Sequence, residues 1–524
     1  MKLGIDFGTT RIVVAAADRG NYPVVSFETP DGESRDWFPP LVALRGSERR
    51  FGWDAWARQA EPGWILVRSL KRETELAGLG TRLDLDGDDV SLMALLTGLA
   101  ESLARDLRES SNLSLKKDEP LEVLLGVPAN ANSNQRFLTV EAFRRAGFDV
   151  QGMLNEPSAA SIEFAHRYQK ERGAAAETLL VYDLGGGTFD ASIVEIAAAG
   201  NRVLSTAGIP RFGGDDFDEI LARLALEPER RDLLTIAERF RLLEECRERK
   251  EAIKPATKRI TIDLDVVRPG WGSVNVPVPM FESECRPLVE ESVAIVQQLI
   301  AGLAHPKTLE ALYVTGGGSE LPLVARILRE SFGRQVKRSA YTRAATAIGL
   351  AIQADAAAGY RLKEKFGRAF GVWRERDAGR AAWFDVIFEN GAELPLPAEP
   401  PLIRERRYYP VHNIGHFRYL EAGGMNSAGQ PSGELVFWDE IRFPFAPELA
   451  PLTDLSAVEV EHAVSAQSQE ILERFTCDAH GIVHVELRNV TSGYGRVFDL
   501  ARWSAASTAK PVRPRRARTT VKPA

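Results

Sequence analysis

The sequence contains few cysteines and histidines, and their placement excludes several kinds of site. Three cysteines, Cys246, Cys285 and Cys477, are scattered through 524 residues without a CxxC pair. An odd, dispersed set predicts neither a disulfide framework nor a zinc site, so we expect a reducing compartment. We interpret each cysteine as a small buried apolar residue rather than as a nucleophile. The seven histidines likewise lack the spacing of metal ligands.

Long apolar runs are also missing. No stretch approaches 18 uninterrupted apolar residues, so the sequence predicts no membrane span. The first predicted strand begins at Lys2 and leaves no room for a signal peptide, so we expect a cytoplasmic protein. A net charge of −7 argues against a general nucleic-acid binder. The composition is otherwise that of a globular chain, and its length allows roughly two to four domains.

The Gly-Lys-Ser/Thr sequence of P-loop proteins is absent, and a different glycine-rich device occurs twice. KLGIDFGTTRIVVAAAD (2–18) and LLVYDLGGGTFDASIVEI (179–196) each combine a strand, an aspartate, a Gly/Thr turn and a second strand. The N–H groups of such turns form a cradle for anions. Two turns would clamp a polyphosphate from opposite sides, with Asp6 and Asp183 holding the hydrated Mg²⁺ that nucleotides bring. The alternative is two ordinary β-hairpins with glycine turns.

Patterning divides the chain into parts of different texture. Residues 1–359 alternate strand-like and helix-like stretches, which is typical of an α/β domain. One example is the leucine spacing at Leu92, Leu96, Leu99 and Leu103, which predicts an amphipathic helix. We interpret residues 360–367, YRLKEKFG, as a polar linker. The short alternating strands, prolines and turn signals that follow predict a separate all-β domain over 368–504.

The final segment, 505–524, carries six basic residues, no acidic residue and three prolines. This composition predicts disorder, because the segment cannot bury enough apolar surface to fold. A solubilising tail is the simpler interpretation of its charge, and contact with an anionic partner is the alternative.

Several stretches together resemble the seventy-kilodalton heat-shock chaperones of the DnaK type. They are GIDFGTT (4–10), GVPANANSNQR (126–136), NEPSAA (155–160), DLGGGTFD (183–190), FGGDDFD (212–218) and TGGGSELP (315–322). The resemblance implies a two-lobed, actin-like (duplicated ribonuclease H-like) ATPase domain that binds ATP and Mg²⁺. It also implies that the β domain is a peptide-binding sandwich, through NIGHFRYLE (413–421) and FTCDAHGIVHVEL (475–487). A β domain for a different partner is the alternative.

The resemblance assigns roles to individual positions. Lys71 would reach the γ-phosphate, and Glu156 and Asp190 would lie near the metal and the attacking water. Pro128 and Arg136 would form a relay to the second domain, although Pro128 is equally explained as a strand terminator. The implied residues are, as catalytic, Lys71, Glu156, Asp183, Thr188 and Asp190; as metal ligands, Asp6 and Asp183; as nucleotide-binding, Gly8, Thr9, Thr10, Gly185, Gly186, Gly187, Gly213, Gly214, Lys250, Gly316, Gly317 and Ser319.

The chain departs from the family pattern around the nucleoside. Glu251 stands at the position of a residue that stacks on adenine, and Glu320 replaces the usual arginine of the glycine turn. Arg247 and Arg343 stand where acidic residues are usual, and Arg11 follows the first Thr pair where an aromatic or polar residue is common. A carboxylate cannot stack as a guanidinium does, so we expect weaker ATP binding or a changed base preference. The helical lid of the family has no counterpart in the sequence, so peptide exchange should be fast.

These observations predict a chaperone-like ATPase that couples slow hydrolysis to the binding of an unfolded or extended peptide. The implied partners are a J-domain protein and a nucleotide-exchange factor. One rival is a nucleotide-dependent binding module for a single dedicated client, with little hydrolysis. A small-molecule kinase of the same superfold is a third possibility, for which FGGDDFD and the β domain have no obvious use.

Overall fold

A computed structural model describes residues 1–499, except residues 60, 76, 79, 86, 170–175, 198–199, 304–308, 377–380, 397–398 and 439. The basic tail 505–524 therefore lies outside the described residues. Within the described part of the chain, no helix has the length and apolar character needed to cross a bilayer. The fold is mixed α/β, with two sheet-based lobes followed by a β-sandwich, as the sequence predicts.

Lobe I is built on a four-stranded sheet of order β11–β10–β1–β2. The predicted leucine helix is α3, and the Ser91 hydroxyl caps it by accepting the Ala94 N–H. The elements of this part of the chain are β1 (Lys2–Phe7), β2 (Ile12–Ala16), β3 (Phe27–Glu28), β4 (Ser34–Arg35), β5 (Val42–Arg45), β6 (Glu48–Phe51), α1 (Gly52–Trp56), β7 (Ile65–Val67), α2 (Leu70–Glu73), β8 (Arg82–Leu85), β9 (Asp88–Ser91), α3 (Leu92–Glu109), β10 (Glu122–Val127), α4 (Ser133–Arg145), β11 (Asp149–Asn155) and α5 (Glu156–Arg167).

Lobe II is built on a six-stranded sheet of order β18–β17–β12–β13–β14–β19. Its elements, and the helix α11 that returns to lobe I, are β12 (Glu177–Leu184), β13 (Phe189–Ala197), β14 (Gly200–Ile209), α6 (Gly214–Ala225), α7 (Pro228–Arg231), α8 (Ile236–Glu251), β15 (Arg259–Asp263), β16 (Ser273–Pro277), α9 (Val278–Ala301), β17 (Leu309–Thr315), α10 (Pro322–Phe332), β18 (Val336–Arg338), α11 (Ala345–Ala354) and β19 (Leu362–Lys363).

The two lobes repeat one arrangement. In lobe I the antiparallel hairpin β1–β2 has β10 parallel to β1, and in lobe II the hairpin β12–β13 has β17 parallel to β12. Helices α5 and α11 cross between the sheets, and a Cβ on Gly349 of α11 would overlap the Ala159 carbonyl of α5. Such close crossing brings the turns of the two hairpins to a common cleft.

The C-terminal strands form a sandwich. One sheet has the order β21–β20–β24–β25, the other β22–β27–β28–β29, and buried aromatic residues such as Phe370, Tyr419 and Phe475 fill the space between them. The elements are β20 (Ala369–Arg376), β21 (Ala381–Phe388), β22 (Leu402–Tyr408), β23 (Ile414–Phe417), β24 (Tyr419–Met425), β25 (Pro431–Phe437), β26 (Ile441–Pro444), α12 (Val464–Gln467), β27 (Ile471–Cys477), β28 (Val483–Asn489) and β29 (Tyr494–Asp499).

The segment interpreted as a linker packs closely against lobe II. Leu362 and Lys363 form β19, which pairs in parallel with β14, and Leu362 and Phe366 are buried. The Glu364 carboxylate accepts hydrogen bonds from the Asn155 N–H and Nδ2, each at 2.8 Å. Because apolar and polar residues alternate in this short segment, it can pair as an edge strand with its apolar side chains buried. Its polar and basic composition alone does not indicate this pairing.

The β-sandwich docks on lobe I. The buried Glu421 of β24 accepts hydrogen bonds from the backbone N–H and the hydroxyl of Ser133, at the start of α4. Arg136 of the same helix donates to the Asn155 side chain at 2.6 Å and to the His480 carbonyl at 3.5 Å. The turn of the β27–β28 hairpin, with Gly481 at a φ of +73°, therefore lies against lobe I.

Candidate functional site

The two glycine turns meet face to face across the cleft. A Cβ on Gly186 would lie 2.7 Å from the Thr10 Oγ1, and a Cβ on Gly187 would overlap Thr9. Only glycine allows this approach, because any side chain would force the two turns apart. The two turns therefore form one wall of the cleft, contributed by both lobes, and the backbone N–H groups of such turns are suited to an anion.

Two further glycine segments complete the cleft wall. At the start of α6, the Gly214 and Asp215 N–H groups donate to the carbonyls of Gly185 and Gly186 at 3.0 and 2.8 Å. After β17, Gly316 has a φ of +80°, and its carbonyl accepts the Ser319 hydroxyl at 2.6 Å. The cleft wall is thus a set of interlocked tight turns.

The structure brings most of the sequence-predicted site residues to this one cleft. Asp190, Gly213 and Ser319 lie behind the wall, where they support it. The residues that line the cleft directly are Asp6, Gly8, Thr9, Thr10, Lys71, Glu156, Asp183, Gly185, Gly186, Gly187, Thr188, Gly214, Lys250, Gly316 and Gly317.

A single lysine, Lys71, lies among the carboxylates of Asp6, Glu156 and Asp183, which line the cleft, with Asp190 directly behind them. Lys71 forms an ion pair with Glu156, and both side chains are about nine-tenths buried, at 11% and 10% exposure. Burial, with the charge of Glu156 added, raises the pKa of Asp6 to about 7 against the opposing effect of Lys71. The same two causes raise the pKa of Asp190 to about 7. Burial also raises the pKa of Asp183 well above its ordinary value, helped by Glu156 and Asp6.

This excess of buried negative charge fits a divalent cation. Within the described residues no three metal-ligating side chains converge as a chelate. Mg²⁺ typically keeps several waters and binds through one or two carboxylates together with substrate phosphates. Asp6 and Asp183 at the cleft floor, beside the glycine cradle, suit that mode of binding.

The raised pKa of Asp6 has a consequence for stability. The folded, cation-free chain keeps the Asp6 proton at pH values where the unfolded chain has lost it, so its stability falls as the pH rises from about 4 to about 7. Asp6→Asn does not titrate. We therefore expect the variant to gain stability over the wild type progressively across this window, with a constant difference above it.

Thermal unfolding between pH 4 and pH 8 measures this difference. Asp149→Asn, at an exposed position on the edge of the same sheet, is the matched control for the loss of a carboxylate. A difference between Asp6→Asn and the wild type that is independent of pH would contradict the assignment of a proton to Asp6.

Lys250 lies at the cleft with both of its interactions inside lobe II. Its ammonium donates to the Gly214 carbonyl at 2.6 Å and pairs with the buried Asp218 at 2.6 Å. It therefore fixes the start of α6 and, through that, the turn at Gly185 and Gly186. The contacts of Lys250 thus describe a positioning residue, and its predicted role in direct nucleotide binding stays a prediction.

Sequence reasoning missed a set of arginines that join the lobes. Arg68 donates to Asp215 at 2.7 Å, to Asp218 at 3.2 Å and to Glu244 at 2.9 Å, so a lobe I arginine sits in an acidic cage of lobe II. Arg72 donates to the Gly187 carbonyl at 2.9 Å. Both residues flank Lys71 in the basic run RSLKRE (68–73), and their partners include the acidic run GGDDFD (213–218), far along the chain. These opposite charge runs are the signal in the sequence that indicates the pairing.

A separate part of the cleft lining, at the end away from Asp6, Glu156 and Asp183, carries an ion-pair cluster. It is formed by Arg11, Glu251, Glu320 and Arg343. Glu251 accepts from Arg11 at 2.6 Å and from Arg343 at 3.1 Å, and Arg343 also donates to Glu320 at 2.6 and 2.9 Å. Burial alone would raise the pKa of Glu251, but Arg11 and Arg343 more than offset it and lower the pKa to about 2. The departures from the family pattern therefore compensate one another in charge.

All three cysteines are buried with free thiols. Burial raises the pKa of each thiol, so none is an activated nucleophile.

Comparisons with known proteins agree with this geometry. The family model described as "Hsp70 protein" matches residues 99–366, just over half of the chain. The chaperone protein DnaK of Thermosipho africanus is 28% identical over 509 residues, covering 94% of this chain and 78% of the relative. The DnaK proteins of Thermotoga petrophila and Thermotoga maritima are each 28% identical over 510 residues, with the same coverage.

Proposed function

The chain belongs to the Hsp70 family of chaperones, and from that premise we propose that it is a nucleotide-driven chaperone. Its cleft binds a Mg²⁺–nucleoside triphosphate, ATP in the family at large, and hydrolyses it slowly. The nucleotide state sets the affinity of the β-sandwich for an extended segment of a client. The domain division 1–359, 360–367 and 368–504 is part of this proposal.

One observation carries the proposal: the apposed glycine turns share a cleft with Lys71 and the carboxylates of Asp6, Glu156 and Asp183, with Asp190 behind them. The turns bind the phosphates through their N–H groups, and Thr9, Thr10 and Thr188 add hydroxyl donors. Asp6 and Asp183 hold the hydrated Mg²⁺, which supplies positive charge to the phosphoryl oxygens. Phosphoryl transfer needs mainly positioning and such charge, rather than covalent chemistry by the protein.

The protein's own groups position the water and complete the charge. Lys71 faces the equatorial oxygens of the γ-phosphate, and Glu156 orients the Lys71 ammonium through their ion pair. Asp190 accepts the Ala129 N–H at 3.0 Å and a hydrogen bond from the Thr188 side chain, so its carboxylate is held directly behind the cleft floor. The raised pKa of Asp190 suits a group that accepts a proton from the attacking water.

Contacts of the linker offer a route from the cleft to the sandwich. Glu364 binds Asn155, the residue immediately before Glu156. A Cβ on Gly367 would lie 2.7 Å from the Ala129 carbonyl, and Ala129 is the residue that donates to Asp190. The linker therefore contacts the residue before Glu156 and the residue that donates to Asp190. A shift of either carboxylate on nucleotide binding would be passed to the linker through these contacts.

The sandwich offers an edge to an extended peptide. Strand β25 lies at the edge of its sheet, with Leu435 and Phe437 exposed. An edge strand of this kind binds a peptide by adding it as a further strand, and exposed apolar side chains add affinity. We propose a J-domain protein and a nucleotide-exchange factor as further partners and the cytoplasm as the location, on the precedent of the family.

The peptide affinity of the full-length chain, with and without Mg²⁺–nucleotide, tests the coupling. We expect the nucleotide to change the affinity for a fluorescent, unfolded apolar peptide about fivefold or more, which corresponds to roughly 1 kcal/mol of coupling. Glu364→Gln should reduce that change while nucleotide still binds, because it weakens the acceptor for Asn155. Glu101→Gln, at an exposed position on α3, is the control. Equal peptide affinity in both states would contradict the proposal.

The rival function is a nucleotide-dependent binding module with little hydrolysis. The buried contact between Glu421 and Ser133 favours it, because this contact fixes the sandwich against lobe I. Nucleotide-dependent peptide affinity without measurable hydrolysis would select this function.

A further inference from the structure

The ion-pair cluster at the far end of the cleft bridges the two lobes. Arg11 follows the first glycine turn, and Arg343 precedes α11, which packs on the β1–β2 hairpin. Glu251 ends α8, and Glu320 ends the short 3₁₀ helix 317–320, both in lobe II. Arg11 and Glu320 directly follow glycine segments of the cleft wall, and all four cluster residues line the same cleft, so a nucleoside whose phosphates lie on those segments would contact this cluster.

The cluster and the neighbouring Arg247 have hydrogen-bonding groups without a partner among the described residues. Both hydrogen bonds to Glu251 end on Oε2, so within the described residues Oε1 receives none. The Nε atoms of Arg11 and Arg247 are buried and have no partner among the described residues. Arg11 and Arg247 line the cleft, and the Arg247 side chain is only 7% exposed. Buried donors without partners are costly, so a ligand that satisfies them is favoured.

The chemistry of these groups discriminates between purines. Asparagine and glutamine are the side chains that pair with adenine through two hydrogen bonds, to its N6 and N7. None of the described residues that line the cleft is of either type. Guanine offers O6 and N7 to an arginine, and its N1–H and 2-amino group are donors for a carboxylate. The cleft presents both partners, in Arg11 or Arg343 and in Glu251.

Insertion of adenine would be costly here. It would separate Arg343 from Glu251 and Glu320, and its single amino donor at N6 lies beside the acceptors N1 and N7, so it satisfies a carboxylate less fully than the adjacent N1–H and 2-amino donors of guanine. Guanine replaces the lost ion pairs with hydrogen bonds of matching polarity. We propose that the cleft prefers a guanine nucleoside triphosphate over the adenine nucleotide, with Glu251 as the residue that determines specificity. This inference rests on the proposed function, since it assumes that the glycine turns hold the phosphates.

Equilibrium titration of the full-length chain with four Mg²⁺-bound probes tests the preference: GTP, ITP, ATP and tripolyphosphate. We expect GTP to bind at least tenfold more tightly than ATP. ITP lacks the 2-amino group and should fall between them. Tripolyphosphate carries no base and reports on the glycine turns alone.

Variants locate the discrimination. Glu251→Gln should bring the GTP and ATP affinities within threefold, because the amide loses the charge and gains a donor for adenine N7. Glu310→Gln, an exposed glutamate on β17, should leave the ratio unchanged. The wild-type ratio remains decisive if the Glu251 variant fails to fold.

The outcomes separate this inference from the proposed function. Tripolyphosphate binding with equal or tighter binding of ATP than GTP would overturn the guanine preference and leave the phosphate site standing. Failure of all four probes to bind would overturn both.

Discussion

Replacing Lys71 with alanine is expected to lower the single-turnover rate of nucleotide hydrolysis at least hundredfold, while nucleotide affinity changes by less than about tenfold. Lys71 is the one cation among the described side chains on the carboxylate floor of the cleft. Loss of one charged donor that stabilises a transition state costs about 10²–10³ in rate. The glycine turns bind the phosphates through backbone groups, which the substitution leaves in place.

Rapid mixing of limiting Mg²⁺–nucleotide with excess protein, followed by quantification of released phosphate, gives this rate. Lys117→Ala, at an exposed lysine before β10, controls for the loss of a positive charge. Lys71→Ala also leaves Glu156 buried without its partner, so thermal unfolding must show that the variant is folded. Wild-type hydrolysis that survives in Lys71→Ala would remove Lys71 from the chemistry.

Gly187→Ala should lower nucleotide affinity at least tenfold. The added Cβ would overlap the Thr9 Oγ1 and lie 3.0 Å from the Thr9 Cβ, so the two glycine turns must separate. Separation breaks the cradle that both lobes form, and it also strains the hydrogen bond from Arg72 to the Gly187 carbonyl. Packed contacts of this kind have low compressibility, so one added methyl group is expected to have a large effect.

Titration of the variant with Mg²⁺–nucleotide measures the loss. Gly302→Ala, at the end of α9, is the matched control, because a Cβ there would make only ordinary contacts of 3.4 and 3.6 Å. Equal affinities in Gly187→Ala and Gly302→Ala would mean that the two turns do not act together on the ligand.

The duplicated hairpins could be predicted from the sequence because their information is local. The alternating strands, the terminal aspartate and the glycine turn all lie within 18 residues of sequence, and the second copy of the pattern strengthens the prediction of a hairpin. Helix α3 was predictable for the same reason. The full extent of helix α9 was not predictable in this way, because Pro287 lies inside it, where a proline argues against a continuous helix.

The contacts between distant residues could not be predicted in this way. Lys71 was identified only through the family resemblance, because nothing local separates it from other lysines. The acidic cage around Arg68 joins residues about 150 positions apart, and no periodicity encodes such a pairing. The substitutions at Glu251, Glu320 and Arg343 were visible one by one, but their mutual ion pairs depend on how the lobes close.

The central claim is that the two glycine turns form one Mg²⁺-dependent nucleotide site. Calorimetric titration of the full-length wild-type chain with a nucleoside triphosphate, with and without Mg²⁺, tests it most directly. The account predicts one site per chain, with affinity that falls sharply when Mg²⁺ is removed. Absence of binding for both ATP and GTP in the presence of Mg²⁺, by a folded chain, would contradict it.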